Sequence, residues 1–299
     1  MATALSDIAA KIASGDTLDA ADASVILATT DIVSIGMLAD EVRRRRHGDR
    51  ATFVRVADVP LDGPLRAPLP PSAGEVRIAG RPQSIEQAAA RVRQVGRQTA
   101  GVPVSGFSLA DVEALSAAET RDIGSLLEEL REAGLELIAE APIDLLHRRR
   151  DSLAAVSRAG LLLARVTVHR QLESGAFLAL LRHLGELQRS LGCLRSFAPL
   201  ARQGDPAEPS TGYDDVKRVA LARLLLTGIE SIQVDWARSG AKLAQVALTF
   251  GADDVDGVSP LETIEQGRRR APLEEIRRNI RAASLTPVER DGRFEVLHR

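Results

Sequence analysis

Three aspartates within four residues form the densest group of side chains in the sequence that could do chemistry. Asp253, Asp254 and Asp256 follow the stretch 241–250, in which apolar residues recur at helical spacing, and they come just after Gly251. These carboxylates could hold ribose hydroxyls or a cation, or they could cap a short helix and brace its loop. We predict that they lie at the mouth of a barrel and contact any ligand that binds there.

His169, Glu140 and Asp254 are the candidates for acid–base chemistry. His169 is predicted to end a strand, where its imidazole could transfer a proton near neutral pH. A hydrogen-bonded structural role is the alternative for this histidine. Glu140 and Asp144 could form a carboxylate pair in which one pKa is raised, although Asp144 could equally cap a helix.

A second set of residues is predicted to bind a ligand through charge or stacking. Arginines on or near strands suit a carboxylate or phosphate ligand, or else an ion pair with the clustered acids. Asp235 and Trp236 follow a predicted strand, where the ring could pack on a ligand base or seal the barrel end. The predicted ligand-binding residues are Gly80, Arg81, Asp144, Arg165, Arg195, Asp235, Trp236, Asp253 and Asp256.

The composition excludes several classes of protein. The 299 residues include 39 Lys and Arg against 41 Asp and Glu, a balance that predicts neither a nucleic-acid nor a membrane partner. The single cysteine, Cys193, excludes internal disulfides and any metal or iron–sulfur site built from several cysteines of this chain. The amino-terminal residues lack a long apolar core, so we expect neither a signal peptide nor a spanning helix, and a cytoplasmic location.

Alternating strand and helix patterns predict an α/β fold with a single (β/α)8 barrel of the TIM type. Residues 1–50 are expected to form helices that pack on the barrel, and residues 51–299 to form one barrel domain with a carboxy-terminal helix. A short tail, residues 286–297, is expected to fold back as a hairpin. Residues 57–74 contain five prolines and predict a long loop after the first strand. Strand candidates begin near residues 51, 75, 102, 135, 163, 194, 229 and 253. The first is expected to end at Val56 and the sixth at Pro199, and no helix or strand is predicted between residues 107 and 121.

Four consecutive arginines, residues 43–46, end the last of the predicted amino-terminal helices. Such a run could bind phosphate or an acidic partner. The carboxyl end of a helix favours cations, however, and we predict a solvated face.

Several short motifs occur together along the chain and resemble one known family. They are LADEVR at 38–43, HGD at 47–49, SFAPL at 196–200, KLAQ at 242–245, GADD at 251–254 and TPVER at 286–290. In these motifs the chain resembles the menaquinone-pathway radical SAM enzymes, above all aminofutalosine synthase and dehypoxanthine futalosine cyclase, with the deazaflavin (FO) synthase subunits as cousins. The resemblance covers nearly the whole chain and implies a barrel that holds an iron–sulfur cluster and S-adenosylmethionine.

The cluster motif of that family is missing. The resemblance implies Cys-x3-Cys-x2-Cys just after the first strand, but residues 57–74 contain no cysteine. Because soft thiolates hold the iron, we expect neither a [4Fe–4S] cluster nor reductive cleavage of S-adenosylmethionine. The family's Gly-Gly motif is replaced by residues 79–82, AGRP, and its glycine run followed by Ala-Glu by residues 140–144. We therefore expect that this chain does not bind S-adenosylmethionine and that it has no cofactor.

Two functions follow from this pattern. The first is a clusterless pseudoenzyme that binds a small molecule, or assists a catalytic relative, in futalosine-pathway menaquinone biosynthesis. The alternative is a cluster-independent lyase or hydrolase that acts on a nucleoside or aryl-carboxylate intermediate, with His169 and either Glu140 or Asp254 as its acid and base. A purely structural role would require a barrel plugged by its own side chains.

Overall fold

A parallel barrel lies at the centre of the computed structural model, which describes residues 2–64, 68–99, 101–203, 211–264 and 270–298. Its strands alternate with helices along the chain. The strands are β1 (Arg50–Pro60), β2 (Glu75–Ala79), β3 (Val104–Ser108), β4 (Leu137–Pro142), β5 (Leu162–Leu163), β6 (Val166–Arg170), β7 (Ser196–Gln203), β8 (Ser231–Asp235), β9 (Asp254–Val258) and β10 (Thr286–Arg290).

The barrel closes because its last strand pairs with its first. The order is β1-β2-β3-β4-β6-β7-β8-β9, and β9 returns to β1 with Asp254 opposite Thr52 and Val255 opposite Phe53. The two-residue strand β5 pairs with β4 just before β6 does, so β5 and β6 share one position of the barrel. The eight positions confirm the predicted (β/α)8 barrel.

Helices surround this barrel. They are α1 (Ala2–Ser14), α2 (Ala20–Ala28), α3 (Ile32–His47), α4 (Ile85–Gly96), α5 (Leu109–Ala118), α6 (Ile123–Glu132), α7 (Arg149–Arg158), α8 (Ser174–Leu191), α9 (Gly212–Leu225), α10 (Trp236–Thr249) and α11 (Pro272–Ala282). None of the helices in the described ranges is long and apolar enough to span a membrane. Helix α5 had no counterpart in the sequence prediction.

Helix α6 shows how local sequence fixes the helical layer. Asp122 caps it by accepting a hydrogen bond from the backbone N–H of Ser125, which satisfies one of the free donors of the first turn. Leu126, Leu127 and Leu130 recur at helical spacing and are all fully buried. Each contributes about 1.5 to 3 kcal/mol by burial, so replacing Leu127 by alanine would cost about 2 to 5 kcal/mol.

The solvated face predicted for the arginine run at the end of α3 is confirmed for Arg44, Arg45 and Arg46, which are exposed, and is wrong for Arg43. Arg43 is fully buried, and its Nε lies 2.9 Å from Asp40. Arg46 donates to the backbone carbonyls of Thr227 and Ile229, which follow α9. Helix α3 packs along α9, and Arg46 satisfies carbonyl groups of the loop that leaves α9 although the residue is exposed overall.

The carboxy-terminal strand extends the barrel at its amino end. Strand β10 pairs with the first half of β1, from Arg50 opposite Thr286 to Val54 opposite Arg290, while β2 pairs with the second half. The chain then turns back, and the N–H of Leu297 donates to the carbonyl of Glu289. The prediction of a hairpin over residues 286–297 is therefore correct for the turn. It missed the pairing of β10, which runs parallel to β1 and covers a free edge of that strand.

Candidate ligand site at the barrel mouth

A cavity of about 530 Å³ opens at the carboxyl ends of the barrel strands, and we call it the mouth cavity. This is the end of a (β/α)8 barrel at which ligands bind, because the strand-to-helix loops converge there. The apolar residues that line it include Ile78 and Phe107. The charged residues that line it are Asp58, Arg77, Asp111, Glu140, Arg165, Arg202, Asp235 and Arg238.

Asp256 lies beneath the mouth cavity and organises its floor. The two terminal nitrogens of Arg77 lie 2.8 and 3.0 Å from the carboxylate oxygens of Asp256, and Arg165 donates to the same carboxylate. Burial alone would raise the pKa of Asp256, which is 1% exposed, but Arg165 and Arg77 hold that pKa well below its usual range. The floor therefore carries a permanent negative charge between two guanidinium groups.

A second layer of contacts fixes Arg77 in place. Its Nε donates to Glu75 at 2.9 Å, and Glu75 also accepts a hydrogen bond from the hydroxyl of Ser105 on the neighbouring strand. Glu75 and Ser105 are both buried. The floor is thus a continuous network of hydrogen-bonded charges across β2, β3 and β9, as buried charges require.

One wall of the mouth cavity is built around Arg202. Its Nη1 donates to Asp235 at 2.8 Å, and its Nη2 lies 3.1 Å from Glu140. Asp235 also caps α10 by accepting from the backbone N–H of Arg238 at 3.1 Å. The structure therefore brings together two predicted residues, Glu140 and Asp235, through an arginine that was not predicted.

Two further carboxyl groups that were not predicted line the mouth cavity. Asp58, near the end of β1, makes no hydrogen bond or ion pair with any described residue. Desolvation by the surrounding protein raises the pKa of the Asp58 carboxyl, although the residue is exposed overall, and Arg77 only partly offsets this. Burial likewise raises the pKa of Asp111, whose partner is Arg81 at 3.3 Å. A carboxyl group with a raised pKa at a cavity is typical of a functional site.

The three aspartates of the sequence motif lie in three different places. Only Asp256 lies at the mouth cavity. Asp254 lies deeper in the barrel, where both of its oxygens accept hydrogen bonds from Arg290 at 2.6 and 2.7 Å. Asp253 lies outside the barrel, where it accepts from the hydroxyl of Ser231 and the backbone N–H of Ile232, each at 2.8 Å. The latter two are thus fully engaged in structural contacts.

Asp144, in the loop after β4, and His169, near the end of β6, lie beside the mouth. Asp144 accepts hydrogen bonds from the backbone N–H groups of His169 and Arg170 at 2.7 and 2.8 Å, so it braces the end of β6. His169 is half-buried and lies close enough to Asp111 to interact with it electrostatically. Neither Asp144 nor His169 lines the mouth cavity.

The remaining predicted residues are spread over the molecule. Gly80 lines the mouth cavity, and Arg81 lies at its rim with a side chain that is 68% exposed. Trp236 is buried at the start of α10. Arg195 lies at the amino end of the barrel, where its guanidinium stacks on Phe294 at 4.7 Å, so the structure does not bring it to the mouth.

The loop after β1 contains no cysteine. Leu61 is buried, and its N–H donates to the carbonyl of Ala79, which places its side chain against Gly80. Leucine, glycine, proline and alanine dominate the loop, and it has no thiol. Cys193 precedes β7 at the opposite end of the barrel, and burial raises the pKa of its thiol. Within the described ranges, no three His, Cys, Asp or Glu side chains are grouped to hold a metal ion.

Known proteins resemble the chain both in sequence and in fold. Residues 200–299 match the family model for the CofH/MqnC C-terminal region. Aminodeoxyfutalosine synthase from Thermus thermophilus is 27% identical over an alignment 353 residues long, which covers 96% of this chain and 94% of that protein. The 5-amino-6-(D-ribitylamino)uracil–L-tyrosine 4-hydroxyphenyl transferase from Methanocaldococcus jannaschii is 34% identical over 113 residues, or 36% of this chain and 32% of that protein.

Two solved structures share the fold. Methylornithine synthase (PylB) superposes with a TM-score of 0.66 at 12% identity, and the match covers 94% of this chain and 97% of that protein. The FeFe-hydrogenase maturase HydG from Carboxydothermus hydrogenoformans has a TM-score of 0.68 at 12% identity, with 95% and 79% covered.

Proposed function

We propose that this chain, which belongs to the menaquinone-pathway radical SAM family, has lost the iron–sulfur cluster and serves as a ligand-binding or accessory protein. Its setting is futalosine-type menaquinone biosynthesis, with which the family is associated. One observation carries the proposal: the loop after β1 has no thiol, and the only cysteine lies at the other end of the barrel. Three thiolates are needed to hold such a cluster, and carboxylates or prolines do not replace them.

The mouth cavity supports a retained binding function. It remains open above a network of buried charges, whereas a barrel with a purely structural role would be filled by apolar side chains at this level. We propose that a small molecule binds there and that the partner, if there is one, is a catalytic relative in the same pathway. The cytoplasmic location expected from the sequence remains part of this proposal.

S-adenosylmethionine is not the ligand that we propose. Leu61 packs against Gly80, so the backbone at this turn is covered by an apolar side chain. Pro82 lacks a backbone N–H and removes a donor from the same turn. Calorimetry should detect no micromolar binding of S-adenosylmethionine, and such binding would contradict our interpretation of this turn.

Anaerobic reconstitution with iron and sulfide tests the loss of the cluster. We expect a colourless protein that retains no iron after desalting. A broad absorbance band with about four irons per chain would overturn the proposal, because a [4Fe–4S] cluster contains that number. The Cys193→Ser variant separates adventitious iron on the lone thiol from a true cluster, since it abolishes only the former.

A second candidate function is a cluster-independent enzyme that does acid–base chemistry. Asp58 and Asp111 favour it, because both are carboxyl groups with a raised pKa at the edge of a cavity. His169 lies near Asp111 and would take part in proton transfer if a substrate brought them together. Turnover of a futalosine-pathway intermediate that is lost in Asp58→Asn or His169→Ala would favour the enzyme, whereas binding without turnover would favour the accessory role.

A further inference from the structure

The arginines of the mouth cavity already have carboxylate partners. In the described part of the chain, four arginines line the cavity, and all four have such a partner. Each lies within ion-pair distance of an acid: Arg77 and Arg165 with Asp256, Arg202 with Asp235 and Glu140, and Arg238 with Asp235. An anionic ligand would have to displace one of these carboxylates in order to reach a guanidinium group.

The balance of charge at the mouth is negative. The four lining acids match the four lining arginines, and Asp256 and Glu75 lie beneath the cavity as two further acids. Arg81 at the rim offsets only one of these two negative charges, and its side chain is largely exposed to solvent. Asp58 is the lining carboxylate with no hydrogen bond or ion pair to a described residue. The cavity therefore attracts positive charge, and Asp58 is the acceptor free to bind it.

Arg165 provides a second, independent sign of a ligand. Its side chain is 4% exposed, its Nη1 binds Asp256, and its Nε is buried without a hydrogen-bond partner among the described residues. An unpaired buried donor is destabilising, so a ligand that supplies an acceptor would relieve this. Arg165 lines the same cavity as Asp58 and is close enough to influence that carboxyl electrostatically.

We infer that the mouth cavity binds a non-acidic organic amine, whose ammonium or N–H group contacts Asp58 while a neighbouring neutral acceptor contacts Arg165. The acceptor is a carbonyl, a hydroxyl or a ring nitrogen. This inference rests on the proposed ligand-binding function and specifies the class of its ligand. Of the two ligand classes expected from the sequence, an amino-substituted nucleoside fits these contacts, whereas an aryl carboxylate would add negative charge to a site that already has an excess.

Pairs of probes that share a skeleton and carry either an ammonium group or a carboxylate test this inference. Ligand-observed NMR near neutral pH compares 5′-amino-5′-deoxyadenosine with adenosine-5′-carboxylate, and benzylamine with benzoate. The amine of each pair should bind at least about tenfold more tightly, the difference expected when a charge-assisted hydrogen bond replaces a like-charge contact. The preference should disappear in Asp58→Asn and persist in Asp58→Glu, which keeps the charge.

Asp7→Asn is the matched control, because it removes one exposed carboxylate from α1, far from the mouth. It should leave the preference unchanged. Tighter binding of the carboxylates, or an amine preference that survives Asp58→Asn, would overturn the inference while leaving a ligand-binding protein. Failure of all four probes to bind would contradict both the inference and the proposed function. Thermal unfolding of each variant shows that a loss of binding is not a loss of fold.

Discussion

The two ends of the same barrel use carboxylates in opposite ways. At the amino end, Asp254 accepts two hydrogen bonds from Arg290 and one from Gln233 at 2.6 Å, and all three residues are buried. At the mouth, Asp58 has no such partner among the described residues. A carboxylate whose oxygens are already bound contributes to stability, while one left open at a cavity is available to a ligand.

Strand β9 shows that position, rather than residue type, decides between these roles. Asp254 and Asp256 point to the same face of the strand because they are two residues apart, and Asp253 points to the other. Asp253 consequently meets Ser231 outside the barrel, and Asp254 meets Arg290 within it. Only Asp256 reaches the floor of the mouth cavity. Clustered acids in a sequence therefore do not imply a shared site.

The largest expected effect is at the amino end. Asp254→Ala leaves Arg290 buried without its charge partner, and breaking such a pair costs about 3 to 5 kcal/mol. Chemical denaturation monitored by circular dichroism measures the free energy of unfolding. Asp58→Asn, at the mouth, should change it by less than about 1 kcal/mol. Equal losses in the two variants would remove the distinction between the ends.

The floor of the mouth cavity should show a dependence on pH. Because Arg165 and Arg77 depress the pKa of Asp256, its contribution to stability is present above the unfolded-state pKa and is lost as the pH falls toward the folded-state value. Asp256→Asn should cost about 2 to 3 kcal/mol near neutral pH and should lack this acid-dependent part. Denaturation across a pH series measures the loss of stability and its dependence on pH. If the variant lost stability in acid just as the wild type does, this assignment would be contradicted.

The turn at Gly80 should tolerate substitution poorly. Its φ of +132° disfavours other residues, and an added Cβ would lie 2.9 Å from the Cβ of Leu61. Gly80→Ala should cost about 1 to 3 kcal/mol and displace Leu61 from the rim. Gly185→Ala, in α8, is the control, because its Cβ meets nothing within 4 Å. That change should be neutral or stabilising by up to about 1 kcal/mol, as seen by thermal unfolding.

The smallest effect on the free energy of unfolding is expected at Asp58, where the substitution should stabilise rather than destabilise. Its raised pKa means that the group adds stability when protonated, below the unfolded-state pKa, and that this is lost as the pH rises through the folded-state pKa. Asp58→Asn should therefore be as stable as the wild type, or slightly more so, near neutral pH, and the difference should vanish in acid. The charged groups around Asp58 are Glu75, Arg77, Arg165 and Asp256. A clear loss of stability near neutral pH would show that Asp58 has an ion-pair partner.

The barrel was predictable because its strands and helices have different periodicities. Helix α5 escaped prediction because the apolar residues of 109–118 are spread around the helix rather than gathered on one face, and so give no amphipathic signal. The burial of Arg43 was missed for another reason. Its acceptors include the backbone carbonyls of Gly48 and Arg50, which reach its guanidinium only where the folded chain turns from α3 into β1.

The site was predicted only in part because strand ends are hard to locate. The first strand was expected to end at Val56 and the strand before Arg202 at Pro199, so Asp58 and Arg202 fell into predicted loops. In the structure β1 reaches Pro60 and β7 reaches Gln203, which brings both side chains to the mouth. Glu140 and Asp235, which directly follow predicted strands, were found at the mouth. The alternation of Val54, Val56 and Asp58 on one face of β1 was a usable signal.

The pairing of β10 with β1 has a consequence for how the protein forms in the cell. Asp49, just before β1, bonds to Thr286 across 237 positions of the chain. The ribosome must therefore pass residue 290 before the first half of β1 acquires this neighbour, and until then its edge stays open to other chains. Synthesis thus leaves a nearly complete barrel with one unprotected edge, and a chaperone or a rapid final docking of residues 286–290 has to cover it.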